Sequence, residues 1–435
     1  MSFSARKGRI TTLSRAFASG PVIHQPSHDE TESFVQDQPH VIDPTGADLH
    51  AEAALLRERG PVALVELPAG IRAWAPTRYE VLRQLLADDR VSKDPNLHWP
   101  AWISGEYRET WINSWVGVTN MFTAYGADHR RLRKLVSPAF TKRRTDVLRP
   151  RIEAISTELL DRMAELPDGR ADLRAAYAHP LPMRLICEMF GLPDERQADM
   201  ARLVEANMAT TGTAEQAMAV WQEVHTLLAE LVADKRRNPG DDMTSALIAA
   251  RDEEGSRLSE TELIDTLLLV IGAGHETTVN LIGNAVHALL SHPDQLALVR
   301  AGEVAWSEVI EETLRWAPSI ANLPLRYAVE DIKLPDGSVI GRGDAVFATY
   351  LSAGLDPLRH GEDAGRFDVT RADKEHLAFG HGVHYCVGAP LARLEASVAL
   401  PALFDRFPEL GPDGPVEQVQ SFIAYGYREI PVRLR

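Results

Sequence analysis

The stretch from Ser259 to Ser291 constrains this chain more than any other. Ser259 followed by Glu262 reads as a capping box. Apolar residues then recur at helical spacing to about Ser291, where Pro293 forbids continuation. Such a helix has about 32 residues and is about 48 Å long, enough to cross a whole domain. Its middle is apolar nearly all round, so the fold must bury it on every side. It is not a membrane span, because the run Leu267 to Gly274 is bounded by Asp265, Thr266, His275 and Glu276.

The rest of the pattern is helix-dominated. Helical spacing is predicted near 48–59, 77–87, 128–136, 145–166, 182–190 and 214–236. A hairpin is predicted over 62–75 around Pro68-Ala-Gly70, and short strands at 332–334, 338–340 and 345–349. The fold class is therefore mostly α with small β-sheets (α+β), with residues 46–435 as a single unit. Residues 1–45 are expected to form a disordered tail: Arg6, Lys7, Arg9 and Arg15 lack the apolar core of a secretory signal, and 21–45 are polar and Pro-rich. Lys and Arg total 46 against 62 Asp and Glu, a formal charge of −16, which argues against nucleic acid or an anionic membrane as partner. Two cysteines, Cys187 and Cys386, exclude a disulfide scaffold and suit a reducing, cytoplasmic setting.

Four motifs carry chemistry. In Phe379-Gly-His-Gly-Val-His-Tyr-Cys-Val-Gly388, glycines surround Cys386 just ahead of a helical run from Leu391. A cysteine at a helix start faces unpaired N–H groups that stabilise thiolate. Read alone, it is most often an inert buried cysteine beside a Gly-rich turn, with a metal ligand alongside His381 and His384 (lacking a fourth ligand nearby) or a nucleophile with a distant histidine as alternatives. Within the long helix, Gly272-Ala-Gly-His-Glu-Thr-Thr278 predicts a local distortion that admits a small ligand beside an acid and an alcohol, against a glycine-mediated helix crossing with a surface Glu. Glu312 and Arg315 share a helix face, which alone is most often a solvated ion pair. Residues 129–151 hold nine Lys and Arg and one Asp, a local +8 that is either a solvated helix or a site for an acidic partner or anionic ligand.

In this order and spacing the motifs resemble the cytochrome P-450 family of heme-thiolate monooxygenases, from about residue 45 to the end. Phe379, Gly382, His384, Cys386 and Gly388 match its cysteine loop. Ala273, Gly274, Glu276 and Thr277 match its long-helix motif, and Glu312 with Arg315 its Glu-x-x-Arg pair, for which Arg366 is the candidate third member. The resemblance implies heme b (iron protoporphyrin IX) ligated by Cys386. His129, Arg133, Arg326 and His384 would meet its propionates, with Phe379, Gly388 and Ala273 against the cofactor. Thr277 would hold dioxygen and Glu276 would help deliver protons to it, while Glu312, Arg315 and Arg366 would be structural.

The resemblance further implies insertion of one oxygen atom into a C–H bond of a hydrophobic polycyclic or macrocyclic substrate such as a steroid or polyketide. Oxidative coupling or cyclisation is the alternative within the family, and a heme sensor a more distant one. Without an anchor or fused reductase, the chain resembles soluble bacterial members fed by a separate ferredoxin and ferredoxin reductase. The docking face would carry Arg130, Arg131, Lys134, Lys142, Arg143 and Arg144, and the protein would be a monomer. Substrate is expected against Val270, Ala273, Ile320, Ala321 and the segments 91–122, 190–215, 319–323 and 422–425. One departure stands out: Ala353-Gly-Leu-Asp356 replaces the usual Ala-Asn-Arg-Asp, which puts local contacts after the strand at 345 in doubt.

Overall fold

In the computed structural model, residues 38–435 are described, apart from 209–212 and 252–254. A six-stranded sheet forms one part of the fold. It comprises β1 (His40–Val41), β2 (Val62–Leu67), β3 (Ile71–Pro76), β4 (Val91–Ser92), β5 (Asn322–Ala328) and β6 (Ala345–Thr349), in the order β1-β2-β3-β6-β5-β4. The expected hairpin is β2–β3, with Leu67 opposite Ile71. Its turn uses Ala69 and Gly70, both at positive φ. Strand β1 pairs in parallel with β2 through His40–Val65, so the fold begins before residue 46. The rest of the expected tail, residues 1–37, lies outside the described residues.

The helices that build the site are α1 (Gly126–Val136), α2 (Arg149–Ala164), α3 (Pro180–Phe190), α4 (Ala214–Arg237), α5 (Glu260–Ser291), α6 (Trp306–Trp316) and α7 (Ala389–Arg406). Helix α5 has the predicted capping box: Glu262 N–H donates to Ser259 Oγ at 3.2 Å, and Ser259 N–H to Glu262 Oε2 at 2.8 Å. Its first half packs with α3 and α4 through Leu263, Leu267 and Ile271. Its second half packs with α2, α6 and α7 through Ile282, Val286 and Leu289. Between these two cores lies the segment Gly272–Thr278.

The predicted distortion there does not interrupt the helix. The hydroxyls of Thr277 and Thr278 donate back to the carbonyls of Ala273 (2.5 Å) and Gly274 (3.1 Å) without breaking the ladder. Gly274 serves a close crossing: a Cβ on it would stand 3.0 Å from Ile186 Cδ1 of α3.

The Glu312–Arg315 pair is not solvated. Both side chains are fully buried, and Arg315 donates from Nε and Nη2 to the two Glu312 carboxylate oxygens at 2.8 and 2.7 Å. Its remaining donors reach the carbonyls of Gly354, Ala364 and Arg366. Arg366 thus contributes its backbone, while its side chain is exposed. The second guanidinium at this carboxylate is Arg371, with Nε 3.6 Å from Glu312 Oε1 and Nη1 bonded to His360 O and Asp363 Oδ1. The side chain of Arg366 leaves a turn that faces solvent, whereas Arg371 returns five residues later on the inner side. The replaced motif also finds its reason here. A Cβ on Gly354 would lie 2.2 Å from Arg315 O, so no side chain fits, and Asp356 keeps its place by accepting from Tyr79 N–H and pairing with Arg78.

Breaking a buried pair strands the surviving charge. Glu312→Gln should therefore lower stability by about 3–5 kcal/mol, read as a shifted denaturant midpoint, and an unchanged midpoint would contradict this account.

Candidate active site

A cavity of about 310 Å³ lies between α5 and the cysteine loop, within the range of about 300–1,000 Å³ of ordinary small-molecule pockets. Its walls are largely apolar: Val118, Met121, Leu268, Val270, Ile320 and Leu323 face it, with Ala273 and Thr277 from the middle of α5.

Cys386 faces this cavity, which accounts for its exposure. Its N–H donates to Phe379 O at 2.9 Å, closing the loop into a compact turn. Gly380 and Gly382 both adopt positive φ, and a Cβ on Gly382 would lie 2.6 Å from Leu86 O. Gly388 caps α7. Burial pushes the Cys386 thiol up, while the N–H groups of Gly388 and Ala389 and the charge of Arg133 pull it down. Cys187 lies away from the cavity, buried against Met183 and pushed up to about 12 by burial. Cys187 is a packed small hydrophobe.

Five cationic or potentially cationic side chains converge on one side of the cavity. His129 and Arg133 come from α1, Arg326 from β5, His384 from the cysteine loop and Lys93 from the end of β4. The rings of His129 and His384 lie 4.1 Å apart. Burial, then Arg133 and Arg326, lowers His129 to about 4, and burial together with Arg326 and Lys93 lowers His384 further, so both imidazoles are neutral. Arg133 donates to Tyr385 O at 2.6 Å. His129 Nε2 and Arg326 Nε are buried without a hydrogen-bond partner, a cost that native folds rarely carry without a ligand. A flat dianionic macrocycle with an axial thiolate, which is heme b, fits this donor set and the apolar walls.

Glu276 departs from expectation. It is buried and pairs with Arg174 at 2.9 Å, and it does not line the cavity that Thr277 lines. Its carboxylate is turned toward Arg174 and Asn280 on the side of α5 away from the cavity. Arg174 sits at the start of a single π-turn, Arg174–Ala178, and also donates to Asn280 Oδ1 at 3.2 Å.

Of the expected substrate contacts, Val270, Ala273 and Ile320 line the cavity. Ala321 does not: it packs with Leu49, Ala53 and Leu351, and its N–H bonds Ile423 O. Residues 422–425 likewise sit in core, Phe422 edge-on to Trp111. From 190–215 only Val204 reaches the cavity among the described residues. The aromatic stretch divides. Trp99 stacks on Trp102, Tyr107 and Tyr327 as core, whereas Trp115 and Phe122 face the cavity.

Further contacts carry no signature in the sequence. Asp265, buried in α5, accepts from Thr119 N–H at 2.6 Å and lies 2.9 Å from His225 Nε2 of α4, pinning the loop that holds Val118, Met121 and Phe122. Glu311 receives two bonds from Arg393 of α7, at 2.6 and 2.8 Å, and Arg393 lies over the Phe379 ring. Each joins segments more than 35 residues apart, so only the fold brings them together.

Of the basic residues, Arg130, Lys134, Arg143 and Arg144 are exposed. Arg131 is engaged with Glu262 and Asp128, and the side chain of Lys142 lies outside the described residues. No helix among the described residues is long and apolar enough to cross a membrane.

The cytochrome P-450 family model matches residues 183–301 and 306–422. Over 405 residues the chain is 45% identical to 2-hydroxy-5-methyl-1-naphthoate 7-hydroxylase of Streptomyces carzinostaticus, covering 91% of this chain and 98% of that protein. Among solved structures, CYP154A1 from Streptomyces coelicolor A3(2) superposes with a TM-score of 0.86 at 52% identity, over 91% of this chain and 100% of that one. Testosterone-bound CYP154C4 from Streptomyces sp. ATCC 11861 gives 0.88 at 42%, over 91% and 98%. Fold, cavity and sequence agree: the chain belongs to the cytochrome P-450 family and is a heme-binding monooxygenase.

Proposed function

We propose that this enzyme hydroxylates a polycyclic or macrocyclic hydrophobic molecule, a steroid or an aromatic or macrolide polyketide, with Cys386 as the thiolate that would hold the heme iron and Thr277 as the hydroxyl that would serve dioxygen. The observation that carries this reading is a single apolar cavity holding Cys386 on one wall and Ala273 with Thr277 on the other. Two of the relatives named above act on a fused aromatic acid or hold a steroid, and the apolar walls of the cavity suit such ring systems. When bound, heme supplies the activation of dioxygen and the transfer of one oxygen atom to a C–H bond.

The chain supplies position and protons. Gly388 and Ala389 direct backbone N–H groups at the sulfur and favour thiolate. His129, Arg133, Arg326 and His384 would meet the propionates, which would give acceptors to the unpartnered His129 Nε2 and Arg326 Nε. The Thr277 hydroxyl donates to Ala273 O, which leaves its oxygen free to accept a proton or hydrogen bond from the cavity side. Glu276, held by Arg174, takes part in proton supply in this reading only through rotation of its side chain away from that 2.9 Å bond.

Electrons come from an acidic ferredoxin and its reductase in this reading. Arg143 and Arg144 are exposed on a short helix, Lys142–Asp146, that packs against α7, the helix that follows Cys386. Opposite charge on a partner would speed encounter there.

Three outcomes test the reading. Dithionite reduction under carbon monoxide should give the strongly red-shifted Soret band of thiolate ligation, and Cys386→Ser should lose it. Thr277→Ala should keep heme and substrate binding but reduce the yield of product per reductant consumed by about tenfold or more; fully coupled turnover would remove Thr277 from its role. Arg143→Glu with Arg144→Glu should raise the KM for ferredoxin severalfold at low salt, with the difference shrinking at high salt. An unchanged KM would place docking elsewhere.

A further inference from the structure

The most unusual charge in the molecule is Lys93. It is 2% exposed, it lines the cavity, and it forms no ion pair among the described residues. Lysine is almost never fully buried unless it is paired. Strand β4 pairs Ser92 with Tyr327, so Lys93 is next in register toward Arg326 of β5. Its ammonium lies 3.3 Å from the centroid of the Phe122 ring. That ring holds the ammonium in place but does not neutralise it.

The charges around it do not balance. Lys93, Arg133 and Arg326 line the cavity, and the one carboxyl that also lines it, Glu395, is buried and forms no ion pair with them among the described residues. Three basic side chains therefore share a buried pocket without a carboxylate of the chain as partner. Burial and Arg326 together drive the Lys93 ammonium well below its usual range, the response expected of a cation lacking its counter-ion.

We propose that Lys93 is a further carboxylate anchor of the cofactor site, pairing with a heme propionate beside Arg326. The inference rests on the heme reading above, and adds a residue from β4 that no motif marks. The carboxylate has two possible sources, the cofactor or an acidic substrate, and the cofactor is favoured because Lys93 groups with Arg326, His129 and His384.

The test uses holoenzyme. Heme transfer from wild type, Lys93→Met and Lys93→Arg to excess apomyoglobin is followed at the Soret band, with the reduced carbon monoxide spectrum recorded for each. Loss of one buried charge-assisted bond should make Lys93→Met release heme at least about tenfold faster. Lys93→Arg, which keeps the charge, should stay within about threefold of wild type, and the red-shifted band should not move in either. Lys93→Gln gives the same reading if the methionine variant does not fold. Equal release from wild type and Lys93→Met overturns the inference. So does normal retention combined with loss of the spectral response to 1-naphthoate, which assigns Lys93 to substrate. Equally fast release from both Lys93→Met and Lys93→Arg also overturns it, since shape and not charge would then matter. A wild type without the red-shifted band would instead defeat the heme reading itself, so the two failures are distinguishable.

Discussion

A charge taken out of water must find a partner, and that requirement organises this molecule. Where the partner is in the chain, the pair locks segments together. Glu312 and Arg315, wholly buried, gather the carbonyls of Gly354, Ala364 and Arg366 around one guanidinium. Arg174 holds Glu276 at the back of α5, and Asp265 holds the loop at Thr119. Around Arg326 and Lys93, where the chain supplies no carboxylate partner among the described residues, the propionates of heme would supply it. The same physics that makes the first group architectural makes the second a binding site.

Much of this was legible in the sequence because the signals are local. The capping box and Pro293 fix both ends of α5, and the glycines around Cys386 fix a turn that only they can adopt. His129 and Arg133 sit one helical turn apart, so their shared direction follows from spacing. What escaped was set by tertiary contact. Arg366 and Arg371 lie in one irregular segment with no periodicity to say which turns inward. Ile320 and Ala321 precede β5, and only the tertiary fold decides that Ile320 meets the cavity while Ala321 packs on Leu49, Ala53 and Leu351. Phe422 carries the composition of a pocket residue, yet its ring finds Trp111 and Phe347. Lys93 gave no signal, because its burial depends on Phe122, which arrives from a loop nearly thirty residues later.

The two sides of the cavity differ in how firmly they are held, and this bears on function. The cysteine loop is fixed at close intervals: Gly382 packs on Leu86 O, Cys386 bonds Phe379 O, and Arg393 with Glu311 braces the Phe379 ring. Burial alone would raise the Glu311 carboxyl, but bonds from Arg393 and His376 outweigh it and hold the group at about 2. A carboxylate so depressed keeps its bracing charge throughout the neutral and mildly acid range, and the stability it lends is lost only as pH falls from the ordinary carboxylate range toward 2. The proximal wall is therefore insensitive to conditions under which an enzyme works.

The opposite wall is held at fewer points. Val118, Met121 and Phe122 belong to a loop tied to α5 through Thr119 and Asn120 on Asp265. His225 completes that tie: its Nδ1 lies 2.8 Å from Trp221 O and its Nε2 2.9 Å from Asp265 Oδ1. The wall that meets substrate thus hangs on one polar hub between α4 and α5, while the wall that meets the sulfur is braced throughout. Rigidity is placed where geometry toward the sulfur must not vary, and the sparser anchoring where molecules of different outline must enter and leave.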